Sequence, residues 1–363
     1  MSQESFTKEE QEVLDSIKVS RIFLPIVIGL GVVSYLIWKQ WNPEVIGQIE
    51  WSGLTIFWIL ASILLYVIRH LFYAWRLRIL SDGVFSFWKS IELVFLWEFS
   101  TAVSPTSVGG STVALFFLAQ EKLSTAKTVS VVVYTMIVDT LFFLVSLPIL
   151  YFIIGPVVLR PDAQTFADLQ GYGVGFWSVI VFMAAYGSLF FWGIFIKPEG
   201  LRNLLMWVSK RKILKRFRES LQKTAQDVVT TSHEMKAKPW SYHFNVIASS
   251  TGAWVTRFLA INCIIIALVK NVPMDFWNQF ILYGRGKAMH SLVQFSPTPG
   301  GSGVTEYLFE GFYSDYIPGG IAIIVALIWR LITYYPYLFA GAIIIPNWIL
   351  KILNNRRLER KAK

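Results

Sequence analysis

Two related stretches decide how this chain folds: Ser-Pro-Thr-Ser-Val-Gly-Gly-Ser at 104–111 and Ser-Pro-Thr-Pro-Gly-Gly-Ser at 296–302. Each lies in an apolar neighbourhood. Proline removes a backbone donor and glycine weakens a helix, so neither stretch fits the middle of an ordinary spanning helix. At membrane depth, a non-helical backbone is tolerated only where protein or a water-filled cavity satisfies its polar groups. Two interrupted segments at corresponding positions of two halves indicate the binding site of a transporter.

The composition indicates a polytopic membrane protein. Of the 363 residues, 55% are hydrophobic and 15% are charged, whereas average soluble domains carry about a quarter charged residues. The net charge is +10, but the positive residues lie at helix ends and in one loop. That pattern fits membrane topology and anionic lipid, and it argues against nucleic acid as a partner. The single cysteine, Cys263, excludes a disulfide framework and a cysteine-based metal site, and we expect no cofactor.

The hydrophobic runs predict an all-α polytopic membrane protein. A span needs about 20 apolar residues, and six runs are long enough: 21–41, 53–77, 127–154, 173–196, 241–269 and 319–350. Two further segments, 84–119 and 276–312, contain the Pro/Gly breaks, and each predicts a helix, a break and a second short helix.

The positions of Lys and Arg predict the orientation. Basic residues are dense at 197–238 and 351–363, whereas the 155–172 loop holds one arginine against two aspartates. Both termini and the 197–238 segment are therefore predicted on the cytoplasmic side. By this count 84–119 enters and leaves from the cytoplasm and 276–312 from outside, so both are re-entrant hairpins in an inverted repeat.

The predicted organisation follows from these assignments. It comprises a cytoplasmic N-terminal segment (1–20), a first membrane repeat (21–154), an external loop (155–172), a second membrane repeat (173–350) and a basic cytoplasmic tail (351–363). Within the insert at 197–238, apolar residues between 200 and 229 follow helical spacing with Lys and Arg on the other faces. This pattern fits an interfacial helix on anionic headgroups, or a helix that docks a soluble partner.

Ionisable residues inside apolar segments are costly and usually face a bundle interior and a partner. Those found here are Glu92, Glu98, Asp139, Arg257, Arg285, Lys287, His290, Glu306 and Arg330. They fit structural pairs, for example Asp139 or Glu98 with Arg257 or Arg330, and they fit a polar cavity where the hairpins meet. Near the second hairpin the positive candidates outnumber the one carboxylate, Glu306, which favours a substrate phosphate as the partner of at least one arginine.

The Gly-Gly-Ser corners suggest how an anionic headgroup would bind. A helix N-terminus offers unpaired N–H donors, and glycine lets a ligand approach the backbone, although the same glycines also permit tight hairpin packing. The candidate binding residues combine both hairpins with the ionisable side chains: Ser104, Thr106, Gly109, Gly110, Ser111, Asp139, Arg257, Arg285, Ser296, Thr298, Gly300, Gly301, Ser302, Glu306 and Arg330. No catalytic or metal-binding motif accompanies them, so we do not expect an enzyme.

The hairpins and the spans that follow them resemble the transmembrane region of lysylphosphatidylglycerol synthases, a flippase-like family. The second copy is the closer match, with Ser-Pro-Thr-Pro-Gly-Gly-Ser-Gly-Val-Thr-Glu at 296–306 and Trp-Arg-Leu-Ile-Thr at 329–333 leading to Pro336. The first copy departs from the pattern at Ser111, Ala114 and Thr135-Met136. The resemblance, from about residue 55 to 350, implies a bacterial inner-membrane protein that handles or translocates phospholipids or isoprenoid-linked lipids. The soluble aminoacyl-transferring domain is absent, so lipid aminoacylation is not expected.

Three functions remain open from the sequence. The first is a lipid translocase with a groove for an anionic phospholipid or lipid-linked headgroup, with or without a separate lipid-modifying enzyme as a partner. The second is a membrane enzyme or enzyme subunit acting on a lipid-linked substrate such as a glycosyl-phosphate lipid. The third is a small-solute transporter.

Overall fold

The fold was analysed in a computed structural model. It describes residues 35, 38, 47, 49–104, 114–115, 117–121, 123–211, 218–296, 298–301, 303–318, 321–341, 343–346 and 348. The α-helices in this part of the chain are α1 (Gly53–Leu80), α2 (Phe87–Val103), α3 (Thr125–Ile154), α4 (Gly171–Phe191), α5 (Pro198–Ser209), α6 (Arg218–Lys236), α7 (Trp240–Leu268), α8 (Phe276–Val293), α9 (Val304–Tyr313) and α10 (Ala322–Thr333). No strand occurs among the described residues.

The all-α membrane architecture predicted from hydropathy is confirmed. Five helical stretches are long and apolar enough to cross a membrane: Gly53–Leu80, Ala126–Ile154, Gly171–Ile196, Trp240–Leu268 and Ala322–Pro346. Each lies within a few residues of a predicted span. The remaining predicted span, 21–41, lies outside the described residues except for Tyr35 and Trp38.

Local sequence signals explain where several helices begin. The side chains of Ser86, Ser124 and Asp275 each accept a hydrogen bond from the backbone N–H three residues later, at the starts of α2, α3 and α8. Such a cap satisfies one of the donors that every helix start leaves unpaired. The α3 helix ends at Gly155, whose φ of 83° is readily adopted only by glycine.

The α1 and α7 helices form a long antiparallel pair. Ser62 Oγ donates to the Ala260 carbonyl (3.0 Å), and Arg76 Nη1 donates to Ser250 Oγ (2.9 Å). Residue numbers therefore rise along α1 as they fall along α7. The backbones approach closely because Gly252 faces the Phe72 ring, where a Cβ atom would lie 2.6 Å from the nearest ring carbon.

The second Ser-Pro-Thr stretch interrupts its helix, as the sequence predicts. The α8 helix ends at Val293, a single 3₁₀ turn follows at Pro299–Gly301, and α9 begins at Val304. In the first copy, α2 ends at Val103, and the stretch after Ser104 lies outside the described residues. The 3₁₀ turn of the second copy packs against α2 of the first. Re-entry from one face, and the inverted repeat, stay predictions.

The 197–238 insert differs from the single amphipathic helix that its apolar spacing indicates. It forms two helices, α5 and α6, and α6 packs against α3. Thr231 Oγ1 donates to the Ala126 carbonyl (3.2 Å), and Ser232 Oγ donates to the Ile194 carbonyl. Val228 and Met235 of α6 are buried in an apolar core that also holds Val131 and Ile194 of the two spans.

Asp82, in the turn between α1 and α2, joins this region to the spans. Its carboxylate accepts from Lys127 Nζ (2.6 Å) at the start of α3 and from Lys238 Nζ (2.7 Å) before α7. Partial burial raises the pKa of Asp82, but the two lysines outweigh it, and the pKa lies below its usual value. The carboxylate is therefore ionised at neutral pH and holds three segments together.

Candidate functional site

Two apolar cores meet at a layer of charged side chains. The first core holds the second half of α1, α2 and the first half of α3, and the second core holds the other half of α3 with α4, α8 and α9. On α3, Val138 belongs to the first core and Phe143 to the second, with Asp139 between them. On α10 and the helix beyond it, Trp329 belongs to the second core and Tyr335 to the first, with Arg330 between them. We call this boundary the polar layer.

Asp139 is the centre of one cluster in the polar layer. It accepts from Arg76 Nη1 (2.7 Å) and from Trp254 Nε1 (3.0 Å), so α1, α3 and α7 meet at a single carboxylate. Arg76 is itself buried and also contacts the Tyr73 ring, with 4.5 Å between the guanidinium carbon and the ring centroid. The sequence analysis pairs Asp139 with Arg257 or Arg330, and the structure corrects this assignment, because the partner is Arg76.

Glu98 is the centre of a second cluster. It accepts from Arg69 Nη2 (2.9 Å), and the same guanidinium donates to the Tyr337 hydroxyl (2.9 Å) and lies over the rings of Tyr66 and Tyr73. Arg69 is 1% exposed, about 24 Å along α1 at the usual helical rise. Sequence reasoning missed Arg69, although a lone arginine inside an apolar run is a signal that can be found. The expected partner of Glu98, Arg257 or Arg330, is therefore also corrected.

Arg257 differs from the other arginines of the polar layer. It forms no ion pair with any carboxylate that the structure describes, and its buried Nε has no hydrogen-bond acceptor in that part of the chain. The guanidinium lies over the Trp254 ring, 5.6 Å from the centroid. Its charge acts on Glu98, Tyr66 and His290, so it lies close to the Arg69–Glu98 pair. Among the described residues, the two clusters and Arg257 together hold three positive charges and two negative ones. The positive residues are Arg69, Arg76 and Arg257, and the negative residues are Glu98 and Asp139.

A cavity adjoins the two clusters between α1, α2 and α3. Its lining combines Arg76, Glu98, Tyr73 and Thr135 with the apolar side chains of Leu77, Val94 and Trp97. The lining is therefore mixed, with charged and hydroxyl groups beside aliphatic and aromatic side chains.

Arg330 is held by the second hairpin. Its Nε lies 2.6 Å from Glu306 Oε1, and both side chains are under 5% exposed. Arg330 Nη2 also donates to the Gly300 carbonyl (2.8 Å), and Glu306 Oε2 accepts from the Gly303 amide (2.7 Å). The protein therefore supplies the anion that Arg330 requires. This agrees with the alternative in which the ionisable residues form structural pairs with each other.

The glycines of the second corner are packed against protein side chains. A Cβ at Gly300 would lie 2.2 Å from the Tyr334 ring, and one at Gly301 would lie 2.5 Å from Val293. Both residues have a positive φ, 57° and 69°, and the Gly301 amide donates to the Thr298 carbonyl (3.0 Å). This geometry favours the packing interpretation of these two glycines over close approach by a ligand.

Arg285 is remote from the two clusters. It is fully buried, pairs with Asp315 and donates from Nε to the Val157 carbonyl (3.1 Å). Asp315 is a second carboxylate near the second hairpin, beside Glu306. Arg285 and Arg330 each have a protein carboxylate as partner, so neither needs a phosphate to compensate its charge.

The hydroxyl candidates have local roles where the structure describes them. Ser104 caps the C-terminus of α2, with its N–H donating to the Ser100 carbonyl (3.1 Å). Ser296 Oγ bonds Thr298 Oγ1 (2.7 Å) within the second turn. The other candidates lie outside the described residues: Thr106, Gly109, Gly110, Ser111 and Ser302. The part of the chain that the structure describes contains no group of three or more metal-ligating His, Cys, Asp or Glu side chains.

Comparison with known proteins identifies the family. The model of the lysylphosphatidylglycerol synthase TM region matches residues 22–341. The chain belongs to this family. A UPF0104 membrane protein of Archaeoglobus fulgidus is 23% identical over 341 residues, covering 90% of this chain and 96% of that relative. No solved structure matches the chain. The resemblance found in the hairpin motifs is confirmed, and the lysylphosphatidylglycerol synthase TM region of this chain contains both clusters of the polar layer.

Proposed function

We propose that this protein translocates a lipid with an anionic headgroup, and that the headgroup crosses at the polar layer. The observation that carries the proposal is the unequal charge of the two clusters. Arg69 and Arg76 have carboxylate partners, whereas Arg257 has none among the described residues. One negative charge from outside the protein would complete the set.

The energetics support a ligand at this position. Arg257 is partly buried, and its Nε is fully enclosed with no acceptor among the described residues. A charge withdrawn from water in this way is disfavoured unless it is paired or hydrogen-bonded. A phosphodiester that met Arg257 would find an opposite charge at mid-depth, where hydrocarbon offers none. The adjoining cavity offers polar neighbours, Arg76 and Thr135, beside the apolar side chains of Trp97 and Val94.

The packing of the helices supports an inverted-repeat transporter. In the predicted repeat, α1 corresponds to α7, α2 to α8, and α3 to α10. The contacts occur in matching pairs: α1 packs on α10 as α7 packs on α3, and α1 packs on α2 as α7 packs on α8. Interrupted segments at the meeting of two such halves are typical of substrate sites.

Fluorescent lipid movement in proteoliposomes tests the proposal. Labelled phosphatidylglycerol and phosphatidylcholine are placed in both leaflets, and an external reductant reports the fraction that reaches the outer one. The protein should accelerate movement of phosphatidylglycerol over empty vesicles. Arg257→Gln should slow it about tenfold or more, the equivalent of at least about 1.4 kcal/mol. Arg202→Gln, on exposed α5, is the matched control.

A protein that leaves both lipids at the empty-vesicle rate would refute translocation. Labelled small anions trapped in the same vesicles test the solute-transporter alternative, and their release would favour it. The proposal includes no catalytic step. We also propose that the protein lies in a bacterial plasma membrane with both termini in the cytoplasm. The orientation is supported by the dense Lys and Arg residues of 197–238 and 351–363.

A further inference from the structure

A buried lysine lies outside the two clusters. Lys287, on α8 of the second hairpin, is 1% exposed. Its Nζ donates to Ser146 Oγ on α3 and lies 3.6 Å from the centroid of the Phe142 ring. Ser146 Oγ in turn donates to the Phe142 carbonyl, so the hydroxyl is oriented to accept from the amine. No carboxylate that the structure describes forms an ion pair with Lys287.

The charged and titratable groups on the elements around α8 are engaged elsewhere. On α3, Asp139 pairs with Arg76; on α7, Arg257 lies over Trp254; and on α9, Glu306 pairs with Arg330. Other groups on these elements have the following contacts: Arg285 with Asp315, Tyr313 with the Leu282 carbonyl, Tyr186 with Thr140, Tyr151 with the rings of Phe176 and Trp177, Tyr283 with the Phe258 ring, Tyr172 with the Phe312 ring, and His290 with the rings of Phe143, Trp254 and Phe258. Lys287 therefore has a hydroxyl and an aromatic face as its neighbours.

These surroundings suit an amine that changes its charge. The Ser146 hydroxyl satisfies a neutral amine, and the Phe142 face stabilises the ammonium. With no anion among the described partners, the three donors of the ammonium are only partly compensated, so both charge states are accessible. Lysine titrates readily when buried, whereas arginine keeps its charge in proteins. We propose that Lys287 is a proton-binding site whose occupancy is linked to lipid movement. The Nζ lone pair accepts one proton from a hydronium ion, so that an N–H bond forms as an O–H bond breaks and water is left, and the reverse step returns the proton to water.

This inference rests on the proposed translocation, and lipid movement under an imposed pH difference tests it. With the unchanged protein, the rate at which labelled phosphatidylglycerol moves should differ several-fold between the two directions of the pH difference. Lys287→Met and Lys287→Arg should both lose that response, because neither side chain exchanges a proton there. The control is Lys270→Gln, an exposed lysine paired with Glu50, which should keep it.

Lys287→Met replaces a buried amine by an apolar chain of similar length, so it should fold, which tryptophan fluorescence checks. A Lys287→Met protein that responds to the pH difference as the unchanged protein does would overturn the inference. Lipid movement that ignores the pH difference altogether would overturn it too, while leaving translocation intact.

A second measurement separates the two proposals if no lipid movement is seen. Detergent-solubilised protein is mixed with phosphatidylglycerol in weak buffer containing a pH indicator. A proton change in the unchanged protein that Lys287→Met abolishes supports the site independently of transport. The same proton change in both proteins would overturn it.

Discussion

The Arg330–Glu306 pair offers the sharpest test of how the second hairpin is held. Both side chains are almost fully buried, and 2.6 Å separates Arg330 Nε from Glu306 Oε1. Removing one partner of such a pair leaves an uncompensated buried charge, which costs about 3–5 kcal/mol. Arg330→Gln also loses the hydrogen bond to the Gly300 carbonyl, about another 1 kcal/mol. We therefore expect Arg330→Gln to lower the free energy of unfolding by about 4–6 kcal/mol.

The assay is denaturant unfolding in detergent micelles, followed by tryptophan fluorescence. The double variant Arg330→Gln with Glu306→Gln should be more stable than Arg330→Gln alone, because the orphaned carboxylate is then also removed. Its recovery, about 2–3 kcal/mol, measures the coupling that contacting residues show in a double-mutant cycle. Arg257→Gln is the matched control, since it removes an arginine of the polar layer with no carboxylate partner among the described residues.

Two results would refute this reasoning. A loss below about 1 kcal/mol for Arg330→Gln would place the pair in the range of exposed ion pairs. Effects of the two single substitutions that simply add would show that the side chains do not interact. Added anionic lipid distinguishes the roles of the two arginines. It should raise the free energy of unfolding of Arg330→Gln as much as that of the unchanged protein, and that of Arg257→Gln by less.

Three further predictions follow from other parts of the fold. Gly300→Ala should lower the free energy of unfolding by about 2–3 kcal/mol, because the new Cβ would overlap the Tyr334 ring and the backbone φ is 57°. A loss of stability no larger than that of an ordinary surface substitution would contradict the packing role of this glycine. The stability that Asp82 contributes should be constant at neutral pH and disappear as the pH falls through its lowered pKa, beneath the usual 3.8, so that the unfolding difference between the unchanged protein and Asp82→Asn shrinks in acid. Single cysteines at Gln164 and Lys210, introduced after replacing the native cysteine, should label from opposite faces of the membrane, and labelling from one face would refute the inverted topology.

The sequence by itself determined the class of protein and the position of the helix break in its second half. Apolar runs must be helical in hydrocarbon, where every backbone group needs an internal partner, so hydropathy predicts spans to within a few residues. Proline and glycine act locally, so the break after Val293 could also be predicted. The cost of an isolated charge at membrane depth made Asp139, Glu98, Glu306 and Arg330 detectable as interior residues.

Only the tertiary structure decided which charges meet. Arg76 and Asp139 are 63 positions apart, and they pair because α1 and α3 pack with those faces together. Arg330 and Glu306 are both among the sequence candidates, and the packing of α9 against α10 makes them partners of each other. Arg257 stood there too, and its lack of a carboxylate partner among the described residues follows from Glu98 facing Arg69. Ion pairing depends on a few ångströms between distant segments, and no periodicity or spacing in the chain encodes that distance.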